Sequence, residues 1–289
     1  MKFDLKTDKD IEIRNYYSMN RISTKGDCFE NGGSSSLITE DICLTVENAK
    51  SESDRIFFVQ KLNKKKDGSR FCSNPVENFF IKSAEPMQKL NVMLSGDGKI
   101  RKIINLDEIK KKWRNTKIYL ENVFVGQDEE VMSVLQNWIV SLDDFYNDDE
   151  TILNSIPRDL FYDFFFLGYW NDYGSDGILK RQHRFSNLIG NVELTFDERL
   201  TIEMENGKRS ISLNGLLNKE SSDLKSFETF ANLSSFKEED LFIHMFGKYL
   251  FDEVGLPERL ELFVEAKLRN SDFEKKLVVF FIKSKNGYY

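Results

Sequence analysis

The spacing of apolar residues changes twice along the 289-residue chain, and this limits the folds open to it. In the first third, apolar and polar residues alternate at 11–14 and 42–47, and a run rich in β-forming residues fills 55–62, which indicates half-buried strands. The middle third carries helical spacing, and the last third returns to alternation. Segregated runs of this kind are typical of α+β rather than α/β proteins. We therefore predict an α+β fold, with antiparallel sheets from the N- and C-terminal thirds packed on a central helical layer.

Two helices form the predicted central layer. The more regular pattern begins at Gln127 and repeats apolar residues at helical spacing through Phe145, with acidic residues in its first turn where the helix dipole favours negative charge. A second helix is predicted from about Pro157 to Trp170. Because its sequence is apolar on most sides, we expect it to be the central buried helix. Trp138 and Phe164 should both be buried in this layer.

Turn and cap signals mark the ends of the predicted elements. The Asp-Gly pair at 97–98 and the Asn-Gly pair at 206–207 are flanked by β-forming residues, and both predict hairpins. Asn74 followed by Pro75 predicts a helix start, and Asn105 predicts another through side-chain capping. Segment 241–252 fits either a helix or a strand, and we favour a strand.

The chain divides into two predicted regions. Residues 1–126 hold the N-terminal antiparallel strands with short helices, and residues 127–289 hold the central helices and the C-terminal antiparallel sheet. These regions can also form one continuous domain, because only four prolines occur and no Pro-rich linker separates them. The 25 phenylalanines can build a sizeable core, which excludes a disordered chain.

The net charge and the cysteines limit which classes of partner and which cellular compartment we expect. The net charge is −7, so the chain has no general attraction to nucleic acid or to anionic membranes, and neither is expected as a partner. Cys28, Cys43 and Cys72 lack CxxC spacing and fit free thiols in a reducing compartment. The charged start of the chain does not resemble a signal peptide, and no apolar run reaches the length of about 18 residues that spans a bilayer. A cytoplasmic location is predicted. The low proline count and many Lys, Asn and Ile residues suggest a bacterial source.

Motifs for catalysis and cofactor binding are missing from the sequence. It contains no GxxxxGK[ST], GxGxxG or GxSxG motif. Its two histidines are His183, in a predicted basic loop at 180–184, and His244, in an apolar segment that favours a structural role. A zinc site or a Ser-His-Asp arrangement therefore has few candidate residues. We predict no catalytic, cofactor-binding or metal-binding residues and no cofactor.

Charged clusters have simple structural explanations. The acidic segments 143–150 and 171–177 lack the spacing of a calcium-binding loop. The lysines at 64–66 fit a turn between strands, and those at 110–112 fit the solvated face of a helix. A nucleic-acid surface needs stacking aromatics beside the charge, and neither lysine run predicts one.

Three functions remain open after these exclusions. The first is a non-catalytic intracellular protein-binding module, such as an immunity protein, an adaptor or a dedicated chaperone, whose partner is another protein; aromatic side chains are favoured anchors at such interfaces. The second is a small-molecule or lipid binder with an apolar cavity between sheet and helices. The third is an enzyme whose carboxylates are dispersed in sequence and brought together by folding. The oligomeric state is not predicted.

Overall fold

The protein is described by a computed structural model that covers residues 13–26, 34–48, 55–66, 75–96, 98–123, 129–166, 172–186, 192–231, 237–269 and 274–283. Its strands are β1 Ile13–Gly26, β2 Ser34–Asn48, β3 Arg55–Lys66, β4 Lys89–Leu94, β5 Ile100–Ile103, β6 Ile178–Phe185, β7 Leu194–Glu205, β8 Lys208–Leu217, β9 Leu241–Phe251, β10 Pro257–Leu268 and β11 Glu274–Lys283. Its helices are α1 Pro75–Ala84, α2 Leu106–Val123, α3 Glu129–Asn147, α4 Asp149–Ser155, α5 Leu160–Phe165 and α6 Leu224–Ala231.

All of these strands join one 11-stranded sheet in the order β5-β4-β3-β2-β1-β11-β10-β9-β8-β7-β6. Every neighbouring pair is antiparallel, and the chain's first and last described strands meet at the centre, where Tyr17 pairs with Lys283 and Gly26 with Glu274. Strands from both predicted regions, 1–126 and 127–289, therefore share one sheet. The predicted α+β class, with antiparallel strands packed on helices, is confirmed.

The sheet curves around the short helix α5. Phe161 of α5 lies 5.7 Å from Phe281 of β11, Phe164 lies 5.1 Å from Phe185 of β6, and Phe166, just after the helix, lies 5.1 Å from Phe57 of β3 (all between ring centroids). In a flat sheet, β3 and β6 would be about 38 Å apart, eight spacings of about 4.8 Å, whereas a six-residue helix is only about 9 Å long. The strands must therefore wrap α5, which gives the sheet an inner face filled by the helix and an outer face.

The predicted burial of the helical layer is confirmed for α5 and only partly for α3. Phe164 is fully buried, as are the other residues of α5. Trp138 is half-buried instead, with its ring 5.6 Å from Phe79 and 4.9 Å from Phe80 of α1. Val134 of the same helix is exposed, because α3 covers the edge of the core rather than its centre.

The turn signals in the sequence predicted where the hairpins form. Asn206 and Gly207 both have positive φ, at 51° and 80°, which suits the tight hairpin turn between β7 and β8. The hairpin of β4 and β5 forms around Gly98, and α1 begins at Pro75; Asn74 and Asp97 lie outside the described residues. Segment 241–251 is strand β9, as favoured.

Asn105 precedes α2 as predicted, but its side chain forms hydrogen bonds with the backbone of β4 instead of capping the helix. Its carbonyl oxygen accepts the Asn91 backbone N–H at 2.9 Å, and its amide donates to the Lys89 carbonyl at 3.1 Å. Its own backbone carbonyl accepts from the Ile109 N–H. The residue therefore fixes the start of α2 onto β4.

The predicted helix from Pro157 to Trp170 is wrong in extent. Asp159 has extended backbone geometry, and its carboxylate accepts the Phe161 N–H, so α5 starts only at Leu160 after a separate 3₁₀ turn at 156–158. A further helix, α4, begins within the acidic segment 143–150 and continues to Ser155, and Asp148 caps it. Residues 167–170 lie outside the described residues.

Two segments predicted as loops or turns are strands. Residues 180–184 belong to β6, an edge strand, and the lysines at 64–66 belong to β3. Segment 180–184 is rich in charge because alternate residues of this edge strand are exposed, so the pattern resembled a loop. None of the described helices combines the length and the apolar character needed to span a bilayer.

Candidate functional site

The outer face of the sheet carries a group of aromatic side chains that the core does not use. Strand β9 alternates strictly, so residues such as Tyr249 face inward while Phe242 and Phe246 face outward with 56% and 44% of their surface exposed. Half-buried Phe263 of β10 and Phe280 of β11 extend the group across the sheet. We call these four phenylalanines, with exposed Leu216 and Ile282 at the edges, the aromatic patch.

Cross-strand pairing brings the rings of the patch together. Phe246 and Phe263 are directly opposite each other and stack with 4.9 Å between ring centroids. Phe280 meets Phe263 edge-on at 6.0 Å. His244 lies between Phe242 and Phe246, with ring centroids 6.3 Å and 5.6 Å away, and its Nε2 is 3.3 Å from the Asn214 side-chain oxygen. The four phenylalanines thus form a connected surface across three adjacent strands, with His244 between two of them, and Leu216 lies opposite His244 on the neighbouring strand β8.

The charges that border the patch are paired with one another. Glu265 accepts from Lys267 at 2.9 Å and lies 3.5 Å from Lys276. Glu205 pairs with Lys248 at 2.8 Å, and Arg259 pairs with Glu261. An apolar centre with a polar rim is the usual arrangement of protein interfaces.

A second group of polar side chains is buried on the inner face beneath β6. Asp163 is the one charged residue of α5, its side chain is 5% exposed, and its Oδ1 lies 3.1 Å from His183 Nε2. His183 remains 21% exposed and packs on Phe185, with ring centroids 4.2 Å apart. Burial raises the pKa of the Asp163 carboxyl, and the hydrogen bond to His183 offsets this only in part.

Arg181 and Glu198 continue this group. They are directly opposite on β6 and β7, and the Arg181 Nε–H donates to Glu198 Oε2 at 2.8 Å. The other carboxylate oxygen, Oε1, and the buried Tyr173 hydroxyl have no hydrogen-bond partner among the described residues. Burial raises the pKa of the Tyr173 and Tyr249 phenols. We call Asp163, His183, Arg181, Glu198 and Tyr173 the inner polar cluster.

A third polar contact lies at the start of α5. Lys61 of β3 donates to Glu40 Oε2 at 3.1 Å and to Asp159 Oδ2 at 2.5 Å, and its ammonium lies 5.4 Å from the centre of the Tyr162 ring. Burial alone would lower the pKa of Lys61, but the charges of Asp159 and Glu40 outweigh it and the pKa is raised. This contact anchors α5 to the sheet.

The sequence predicted no site residues, and both groups were missed for the same reason. His183 was assigned to a basic loop, whereas the alternation of Arg181, His183 and Phe185 places all three on the inner face of β6. The sequence feature that could have indicated this cluster is Asp163, a single acid within a run of aromatic residues. His244 was expected to be structural in an apolar segment, but it lies on the outer face within the aromatic patch. Across the described ranges, His, Cys, Asp and Glu side chains do not converge in a group of three or more that would hold a metal ion.

Comparisons with known proteins add no family. No protein-family model matches the chain, and no curated protein matches it. Among solved structures, a similar one is DynF from the dynemicin biosynthesis pathway of Micromonospora chersina, with 6% identity and a TM-score of 0.22 over 98% of this chain and 83% of that one.

Proposed function

We propose that this chain is a non-catalytic protein-binding module of the cytoplasm that docks another protein on the aromatic patch. The observation that carries the proposal is the exposure of Phe242 and Phe246 in one connected surface with Phe263 and Phe280. Exposed apolar patches rimmed by polar groups mark interaction sites in soluble proteins. The inner face, by contrast, is filled by the aromatic side chains of α5, so the outer face is the better candidate for a partner.

The test is site-specific photo-crosslinking in the source cells, followed by binding measurements with the purified partner. A benzophenone amino acid at position 246 should crosslink one protein, whereas the same group at exposed Ile118 on α2 should not. The Phe246→Ala/Phe263→Ala double variant should then bind that protein at least about 30-fold more weakly, because the loss of even one buried aromatic anchor costs about 2 kcal/mol or more.

An Ile118→Ala variant is the control for general effects on folding and should retain the affinity of the unmodified protein. The proposal fails if position 246 crosslinks no protein, if it crosslinks only a second copy of this chain, or if the double variant binds the captured protein as tightly as the control does.

A second candidate function is an enzyme with dispersed carboxylates, and the inner polar cluster favours it. Two buried acids, Asp163 and Glu198, lie close together, and the Glu198 charge adds to burial in raising the pKa of Asp163. A partly exposed histidine hydrogen-bonded to one of them is an arrangement that serves as a general base. Perturbed buried groups of this kind concentrate at functional sites.

The Asp163→Asn variant tests whether the ionised Asp163 carboxylate destabilises the native protein. An unfolded aspartate has a pKa of about 3.9, and a raised folded-state pKa means that the native protein binds this proton more tightly. Stability of the unmodified protein therefore falls as the pH rises from about 4 through the raised pKa. Because asparagine does not ionise, its burial carries no such penalty, and the stability of Asp163→Asn relative to the unmodified protein should increase with pH.

Urea unfolding at pH values of about 4, 5.5 and 7 measures this trend. The charged and titratable groups that face Asp163 include His183, Arg181 and Glu198, and His183 loses its carboxylate partner in the variant. If the variant instead becomes relatively less stable as the pH rises, the Asp163 carboxylate stabilises the fold through His183, and its role is structural.

A further inference from the structure

A continuous row of outer-face residues leads from the edge of the sheet to the aromatic patch. Strand register places Lys180 opposite Arg199, Arg199 opposite Asn214, Asn214 opposite Phe246, and Phe246 opposite Phe263. The row crosses five strands, which spans about 19 Å at four spacings of about 4.8 Å. One end of the row is therefore cationic and the other end is aromatic.

Lys180 and Arg199 form a like-charge pair that the described residues do not neutralise. Both side chains are exposed, and within the described part of the chain neither lies within ion-pair distance of a carboxylate. The acid two residues along β7, Asp197, accepts instead from the amides of Gln182, at 2.9 Å, and Asn218, at 3.1 Å. Like charges directly opposite one another on a sheet are destabilising.

This cationic pair differs from every charge that borders the patch on β9 and β10. Lys248, Arg259 and Lys267 each have a carboxylate partner, so the rim there is internally balanced. The chain carries a net charge of −7, so an unbalanced cationic pair is a local exception. At physiological salt, charges are screened beyond about 8 Å, so this local pair, rather than the net charge, acts on a docked surface.

We infer that the docked partner presents acidic side chains to Lys180 and Arg199 beside an apolar segment that covers Phe246 and Phe263. This inference rests on the proposed function and specifies the chemistry of the partner. Complementary charge at the edge of an apolar contact fixes the register of the two proteins and excludes partners whose surface is basic at that point.

The experiment uses the protein captured by crosslinking at position 246 and compares two double charge reversals of this chain. Lys180→Glu/Arg199→Glu removes the cationic pair, and Lys111→Glu/Lys112→Glu on α2 makes the same change in net charge at exposed positions away from the row. The first variant should bind the captured protein about tenfold more weakly at low salt, because exposed ion pairs contribute modestly and are screened by salt, and it should lose most of the salt dependence. The α2 control should keep both the affinity and the salt dependence.

The outcomes separate this inference from the proposed function. If Phe246→Ala/Phe263→Ala abolishes binding but Lys180→Glu/Arg199→Glu has no more effect than the α2 control, the inference is wrong and the docking proposal stands. If neither variant changes binding, both are wrong. A nuclease-sensitive nucleic acid crosslinked at position 180 or 246 would also overturn the inference.

Discussion

Replacing Phe161 with alanine is expected to lower the free energy of unfolding by about 3–5 kcal/mol. The ring is fully buried at the centre of the curved sheet, where it stacks on Phe165 at 4.9 Å and meets Phe281 of β11 at 5.7 Å. Removing it leaves a cavity that the surrounding strands cannot close, because several strands converge on this short helix. Since small proteins are stable by only about 5–15 kcal/mol, much of the total would be lost.

Urea unfolding followed by circular dichroism measures this loss. The matched control is Phe242→Ala, which removes the same side chain from an exposed position on β9 and should cost less than about 1 kcal/mol. A Phe161→Ala protein as stable as this control would mean that α5 does not organise the curvature of the sheet.

Replacing Lys61 with methionine is expected to destabilise the protein by about 3–5 kcal/mol, because the Glu40 carboxylate would stay buried without its cation. The Glu40 side chain is only 7% exposed, whereas the second partner, Asp159, is 41% exposed and can remain hydrated. Adding Glu40→Gln to Lys61→Met removes the unpaired buried charge and should therefore recover most of the loss.

Thermal and urea unfolding of the two single variants and the double variant give the coupling between Lys61 and Glu40. The control is Lys82→Met, which breaks a 2.6 Å ion pair with Glu85 whose two side chains are both well exposed, and which should cost less than about 1 kcal/mol. If the double variant is no more stable than Lys61→Met, the contribution of Lys61 comes from its packing on Tyr162 rather than from charge.

Local sequence patterns predicted the parts of the fold that depend on local rules. Segment 241–252 fitted either a helix or a strand, and the favoured strand is observed as β9, which has one side in the core and the other side outside it. Asn206-Gly207 predicted its hairpin because both positions need a positive φ that these residues tolerate. Sequence patterns were less accurate at two helix starts. The side chain of Asn105 hydrogen-bonds to β4 instead of capping α2, and Asp159 caps α5 after the predicted start of that helix.

The candidate sites could not be predicted from the sequence because their residues come from separate elements of the fold. Phe246 and Phe263 are 17 positions apart, and only the register between β9 and β10 makes them neighbours. Asp163 and His183 likewise meet only because the sheet curls until its last strand, β6, reaches α5. A pattern read along the chain contains neither the register nor the curvature.

The sequence by itself determined the α+β class, the hairpin turns and the apolar character of α5, because these follow from side-chain periodicity and from the backbone preferences of Gly, Asn and Pro. The tertiary structure alone decided that β1 pairs with β11 to make one continuous sheet, that this sheet wraps α5, and that four phenylalanines meet on its outer face. The physical reason is that strand pairing and sheet curvature are set by packing between residues far apart in the chain, and local periodicity does not record which strands become neighbours.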